Sequence, residues 1–288
     1  MKISCLIATY RADDYIGKAL ESIRAQSHAD WEIVVVEDGS RGQTEAIVGQ
    51  FAASVSQPVR YENLGVNRGV ATARTRLMEL AQGEAIAFLD ADDWWTQSHL
   101  ANADRAFAAG ADFVVAPIQL YNLDTHEAMQ SYAPPEILYQ DPVRELFTHS
   151  AIMTSSCVAI RTALVRKVGA FEPTLRIGED RDYWLRCAAA GASFAGTGEV
   201  TCFYSKHATS TMAKTLLWAE QEVLFHEKHF GFSGVPKSVR RERLAHVLTN
   251  YGRLVRATDR TASRRALGRA FRLRPSLRGL ALSLRSLA

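Results

Sequence analysis

Three observations predict an α/β fold built on a mostly parallel sheet flanked by helices. Residues 3–8 and 31–36 are short, apolar and β-branched, the signature of strands buried on both faces. Each run is followed by a polar turn and then by apolar residues at helical spacing. This alternation continues to about residue 116, and a sheet built that way binds ligands outside the carboxyl ends of its strands.

The elements follow in order. After the first strand, Asp13 or Asp14 can cap a helix whose apolar face runs Ile16, Leu20, Ile23. The second strand ends at Asp38-Gly39-Ser40 and turns into a helix from Glu45 to Phe51. A third strand near Val59 to Glu62 leads through Asn63 to Gly69 into a helix with Val70, Ala73, Leu77 and Leu80 on one side. Gly83 ends that helix, and Glu84 to Leu89 reads as the fourth strand. A helix from Ser98 to Ala109 and a strand from Asp112 to Ala116 complete the regular part.

Beyond residue 120 the rhythm loosens. Tyr132-Ala133-Pro134-Pro135 reads as a loop, Pro142 to Phe147 as a short helix and Ser155 to Ile160 as a strand. Gly169 to Pro173 precede a loop that reaches Gly178-Glu179-Asp180, and Tyr183 to Ala190 has a helical pattern. Leu216 to Phe230, Arg240 to Arg256 and Arg264 to the end read as helices.

Size and composition narrow the functional classes. The 288 residues, 47% of them hydrophobic, suffice for a large α/β domain with an appendage. The apolar runs fall far short of the roughly 18 residues of a membrane span, and Met1-Lys2 leads straight into a strand, so a cytoplasmic location is expected. Cys5, Cys157, Cys187 and Cys202 are widely spaced without CxxC pairing, which predicts buried free thiols rather than disulfides or a zinc site.

The net charge of +3 conceals an asymmetry. Pro236 to Ala288 carry 14 Lys or Arg against Glu242 and Asp259, leaving 20 basic and 29 acidic residues in positions 1–235. An acidic body thus carries a basic tail. The tail lacks the interleaved aromatics of a nucleic-acid surface, and no nucleic-acid partner is expected. In it Leu277, Leu280, Leu284 and Leu287 recur at helical spacing between Arg274, Arg278 and Arg285. Such a basic amphipathic helix can lie on an anionic membrane, or pack its leucines on protein.

Ile86 to Asp93 carry the chain's most distinctive chemistry. An apolar run delivers Asp90, Asp92 and Asp93 within four residues, and carboxylates that close either repel one another or share a cation. A hard divalent ion held by one or two carboxylates keeps its other positions for water and substrate phosphate. The alternative is that these aspartates cap the helix beginning near Gln97. A second acidic pair, Glu179-Asp180, follows roughly ninety residues later.

The order of motifs resembles the family 2 glycosyltransferases. The residues that carry the likeness are Ile7-Ala8-Thr9-Tyr10, Glu37-Asp38-Gly39-Ser40, Asn67-Arg68-Gly69 with Ala73-Arg74, Leu89-Asp90-Ala91-Asp92-Asp93, and Gly178-Glu179-Asp180 through Arg186. The resemblance spans about residues 2–210. It implies a GT-A fold, a nucleotide-diphosphate sugar donor, Mn²⁺ or Mg²⁺, and inversion at the anomeric carbon.

Applied to this chain, the resemblance implies a catalytic domain at 1–213, with a nucleotide-sugar half at 1–116 and an acceptor half at 117–213. A basic helical extension occupies 214–288. Asp38 can accept from a uracil imide or a ribose hydroxyl while Tyr10, next to Thr9, offers a ring to the base, which favours UDP and leaves TDP open because thymine shares the imide. Asn67, Arg68 and Arg74 are candidates for phosphate or ribose contact, although an arginine on a helix also serves as a salt-bridged face. Asp92 is the expected metal ligand, with Asp90 reaching ribose or metal and His207 a further candidate ligand. Asp180 is the expected base and Glu179 its alternate. Trp94 and Trp95 could floor a sugar site or simply pack.

The expected acceptor is a glycan or lipid-linked saccharide of bacterial surface or exopolysaccharide synthesis, with residues 264–288 making peripheral contact at the inner face of the cell membrane. Two rival readings are a non-catalytic nucleotide-sugar or polysaccharide-binding protein and a haloacid-dehalogenase-type phosphatase, whose nucleophile motif Asp90-x-Asp92 imitates.

Overall fold

The computed structural model describes residues 1–206 and 215–275. Among these, two compact units separate. One comprises 1–146, 150–174 and 179–206, and the other 147–149, 175–178 and 215–275.

In the first unit the predicted alternation is present. Strand β1 (Ile3–Thr9) precedes helix α1 (Ile16–Arg24), β2 (Trp31–Glu37) precedes α2 (Thr44–Ala52), and β3 (Val59–Asn63) precedes α3 (Val70–Leu80). β4 (Ala85–Phe88) and the two-residue β5 (Trp94–Trp95) flank the acidic loop, and α4 (His99–Ala108) leads to β6 (Phe113–Val115). There follow β7 (Ile118–Asn122), β8 (Glu127–Tyr132), and the short helices α5 (Ile137–Gln140) and α6 (Pro142–Thr148). β9 (Val158–Arg161), α7 (Thr162–Val168), α8 (Glu179–Ala189), β10 (Phe194–Gly196) and β11 (Cys202–Lys206) complete the unit.

The main sheet runs β10-β6-β9-β4-β1-β2-β3. Its pairs β1–β2, β1–β4, β2–β3 and β6–β10 are parallel, while β9 runs antiparallel to both β4 and β6. The uninterrupted apolar runs of β1 and β2 are explained by burial: Ile3, Cys5, Ile7, Ile33, Val34, Val35 and Val36 are all fully covered. All four cysteines are free and buried.

Sequence periodicity did not anticipate a second sheet, ordered β5-β11-β7-β8. Its strands are short and its outer member β8 is exposed at every position, so no alternation of apolar and polar residues marks it. The strand expected at Ser155 to Ile160 is also corrected, because Ser155–Cys157 form a 3₁₀ turn and the strand begins at Val158.

The second unit contains α9 (Thr215–Lys228), α10 (Lys237–Val255) and α11 (Arg260–Leu273). Val223, Leu244, Val247, Leu248, Ala266 and Ala270 form its core. At Gly252 a Cβ atom would sit 2.9 Å from Leu267 Cγ, so glycine is what lets α10 and α11 approach, and Ser263 Oγ donates to the Gly252 carbonyl there. α11 starts at Arg260, four residues earlier than expected, because Asp259 caps it by accepting from the Ala262 N–H. Among the described residues no helix is long and apolar enough to cross a membrane.

Candidate active site

The carboxyl ends of β1 and β2 carry the first cluster. Thr9 pairs with Glu37 in register, and the Asp38 N–H continues the ladder by donating to the Thr9 carbonyl. The buried Asp38 carboxylate closes the loop that follows β3: Oδ1 accepts the Arg68 N–H at 2.7 Å and Oδ2 the Gly69 N–H at 2.9 Å. Each carboxylate oxygen has a further lone pair for a ligand. Gly39, at φ +74°, passes so near this loop that a Cβ would stand 2.1 Å from the Val66 carbonyl carbon. Tyr10 is 44% exposed with the Arg11 guanidinium 5.1 Å from its ring centroid, and Asn67 and Arg68 are exposed on the loop that Asp38 closes. Thr9 Oγ1 is buried with no hydrogen-bond partner among the described residues.

Arg74, on α3, joins the two acidic segments. Its Nη2 donates to Asp90 Oδ1 at 2.8 Å and its Nη1 to Glu179 Oε1 at 2.6 Å. The guanidinium is buried and paired with these two carboxylates, the salt-bridged role also open to an arginine on a helix. Burial works against its charge, but Asp90, Glu179 and Asp180 more than offset that effect.

Burial pushes the Glu179 carboxyl up to about 7, helped by Asp180 and opposed by Arg74. Asp180, half-buried at the start of α8, is likewise raised by burial and opposed by Arg74. The two acids therefore differ in situation. Glu179 is tied into a buried ion pair, whereas Asp180 accepts the Arg181 N–H next to it.

The loop after β4 holds the remaining acids. Asp90 and Asp92 are half-buried, and Asp93 is buried with its Oδ1 accepting the Ser205 N–H and its Oδ2 accepting Ser156 Oγ. Burial, then Asp92 and Asp90, raise the Asp93 carboxyl well above its ordinary range. None of these aspartates caps α4, whose N-cap position is Ser98. The Tyr204 phenol on β11 has its proton affinity raised by burial first and then by Asp93, Asp90, Asp92 and Asp180, which marks it as a neighbour of both acidic segments.

Both tryptophans pack. Trp94 lies between the Lys18 ammonium, 3.0 Å from its ring centroid, and the stacked Phe203 ring at 5.0 Å. Trp95 donates its indole N–H to the Ser156 carbonyl and stacks on His99. His207 lies outside the described residues, as do Leu277, Leu280, Leu284, Leu287, Arg278 and Arg285.

The donor set suits a hard divalent cation, because Asp90 and Asp92 offer carboxylate oxygens and no sulfur ligand stands among them. Among the described residues no three His, Cys, Asp or Glu side chains group tightly enough to hold an ion alone. Two carboxylates with the remaining positions left to a diphosphate and water is the usual arrangement for such ions. The sequence reading missed Arg74 as a bridge, and it missed Thr154, Ser156 and Tyr204, which carry no motif.

The family described as Glycosyl transferase family 2 matches residues 4–169, more than half the chain. WfaP of Escherichia coli, named as a UDP-Glc:alpha-D-GlcNAc-diphosphoundecaprenol beta-1,3-glucosyltransferase, is 24% identical over 219 residues, covering 73% of this chain and 80% of WfaP. The crystal structure of S. aureus TarS 1-349 in complex with UDP-GlcNAc superposes with a TM-score of 0.66 at 20% identity, covering 100% of this chain and 80% of that one. The mannosyltransferase PcManGT from Pyrobaculum calidifontis, in complex with GDP-Man and Mn²⁺, gives a TM-score of 0.67 at 19% identity over 99% and 79% of the two chains. These structures share the fold described above.

Proposed function

The chain belongs to glycosyl transferase family 2, is a glycosyltransferase of GT-A fold, and from that premise we propose that it transfers a sugar from a UDP-sugar, with inversion, to a saccharide or lipid-linked saccharide acceptor. WfaP is named for transfer to a diphosphoundecaprenol-linked sugar and ExoO of Rhizobium meliloti for succinoglycan biosynthesis, and a bacterial surface or exopolysaccharide is the product proposed here. The phosphatase and binding-protein readings give way to this membership. The observation that carries the proposal is the Arg74 bridge, which brings Asp90 and Glu179 to one guanidinium and so sets the acids of the two segments around one site.

In the proposed reaction the base stacks on Tyr10 and the Asp38 turn receives the nucleoside, with Asn67 and Arg68 near the phosphates. Asp92 and Asp90 would hold Mn²⁺ or Mg²⁺, with His207 a third candidate; when bound, the ion neutralises the charge that builds on the departing diphosphate. Asp180 takes the proton of the acceptor hydroxyl as its oxygen attacks the anomeric carbon. Glu179, held by Arg74, is the alternate base and keeps the first turn of α8 in place. The choice of UDP is supported by the imide-accepting chemistry of a carboxylate at position 38 and by the UDP-sugars in the names of WfaP and TarS. We further propose that the segment from residue 264 contacts an anionic membrane, where a lipid-linked acceptor would reside.

Thermal shift with UDP-, GDP- and TDP-sugars, each with and without Mn²⁺, tests the donor assignment. A ligand at about a hundred times its Kd adds about 2.7 kcal/mol of stability, enough for a clear rise in Tm. The largest shift is expected from a UDP-sugar with Mn²⁺. No shift with any of them, or the largest with GDP- or TDP-sugar, overturns the assignment.

A further inference from the structure

A short turn that no sequence motif marks holds both ends of the acidic loop. The Asp90 N–H donates to Ser156 Oγ at 2.9 Å, and that hydroxyl donates in turn to Asp93 Oδ2 at 2.5 Å. Thr154 Oγ1 lies 3.2 Å from the same Asp93 oxygen and 3.4 Å from Asp90 Oδ2, and it accepts the Ser156 N–H at 3.2 Å. The turn is itself anchored, since the Trp95 indole donates to the Ser156 carbonyl at 2.7 Å. Thr154 and Ser156 are both buried.

These contacts act against a definite force. Three carboxylates within four residues repel one another, and a loop free to relax would spread them. The two hydroxyls hold the Asp93 carboxylate and the Asp90 backbone, with Thr154 also within reach of the Asp90 carboxylate, and so pin both ends of the stretch that carries Asp92. Carboxylates that ligate metals are commonly oriented by hydrogen bonds of this kind from groups that never touch the ion.

We propose that Thr154 and Ser156 are positioning residues that hold the Asp90 to Asp93 loop in the geometry required to bind a divalent cation with the donor diphosphate. The proposal rests on the reading of Asp90 and Asp92 as the cation-holding residues.

The test is Mn²⁺ binding to the purified full chain in the presence of UDP, followed by loss of the free-ion EPR signal beyond that caused by UDP alone, for wild type, Asp92→Asn, Thr154→Val, Thr154→Ser and Ser156→Ala. Loss of such an orienting partner weakens metal affinity about 10–100-fold. The expected result is that wild type binds, Asp92→Asn loses binding, Thr154→Val and Ser156→Ala weaken it at least about 10-fold, and Thr154→Ser, which keeps the hydroxyl, restores it. Circular dichroism and Tm on the same samples show whether each variant is folded. If Ser156→Ala does not fold, the near-isosteric Thr154→Val and its serine rescue decide the question. Wild-type affinity in folded Thr154→Val and Ser156→Ala overturns the proposal and leaves the cation reading intact. A wild-type chain that leaves the Mn²⁺ signal unchanged, or an Asp92→Asn that binds like wild type, brings down the cation reading and the proposal with it.

Discussion

Arg74 Nη1 and Glu179 Oε1 meet at 2.6 Å although 105 residues separate them in the chain. The same guanidinium reaches Asp90, so one buried cation fixes α3, the loop after β4 and the first turn of α8 together. Removing one member of such a pair strands a buried charge, at a cost of about 3–5 kcal/mol. Arg74→Met is therefore expected to lower the free energy of urea unfolding by about that amount at pH 8, and by less at pH 6 where Glu179 can neutralise itself by protonation. Equal losses at the two pH values would count against the pairing.

The raised proton affinity of Glu179 also sets a pH dependence. Its carboxyl rises from an ordinary 4.5 to about 7 on folding, so in that window the folded chain holds more protons than the unfolded one. The stability this contributes is complete below about pH 4.5 and is lost as the pH climbs through 7. Glu179→Gln is expected to flatten that decline. Urea unfolding of both proteins across pH 4.5 to 8 measures it, and parallel curves would contradict the assignment.

Gly39 is required for a steric reason. Its φ of +74° already disfavours a side chain, and a Cβ would collide with the Val66 backbone. Gly39→Ala is expected to cost at least about 1–2 kcal/mol from the backbone conformation alone. Because the displaced loop is the one Asp38 closes, donor-induced thermal shift should fall in the same variant. An unchanged Tm and an unchanged shift would show that the turn has no such constraint.

The membrane proposal calls for a cut placed by the fold. Residues 264–273 belong to α11, whose Ala266, Leu267 and Ala270 are buried, so removing everything from 264 would unpick the helical unit. Deleting residues 276–288 spares α11 and removes five leucines with Arg278 and Arg285. The full chain is expected to co-sediment with anionic liposomes at low salt and the shortened one to lose most of that binding. Equal sedimentation would remove the membrane role.

The first half of the fold could be read from residues alone because buried parallel strands are near-continuous apolar runs, as β1 and β2 are. The later half could not. β8 is exposed throughout, β5 has two residues, and α7 has only seven, too few for its period to register. Among site residues, the acids announced themselves through their density in sequence. Thr154 and Ser156 did not, since a hydroxyl in an ordinary Thr-Ser-Ser run acquires its role only when β9 carries that run alongside the end of β4. Arg74 was visible as a residue but not as a bridge, because its partner Glu179 lies on an element brought near only by the folded sheet.

The most direct test of the central claim, that Asp180 deprotonates the acceptor at a donor site built by the other acidic segment, is kcat alongside donor Kd for Asp180→Asn. Loss of a general base lowers rate about 10²–10⁴-fold. The expected result is a fall of that size in kcat with the UDP-sugar Kd unchanged. A variant that transfers sugar at the wild-type rate would contradict the account.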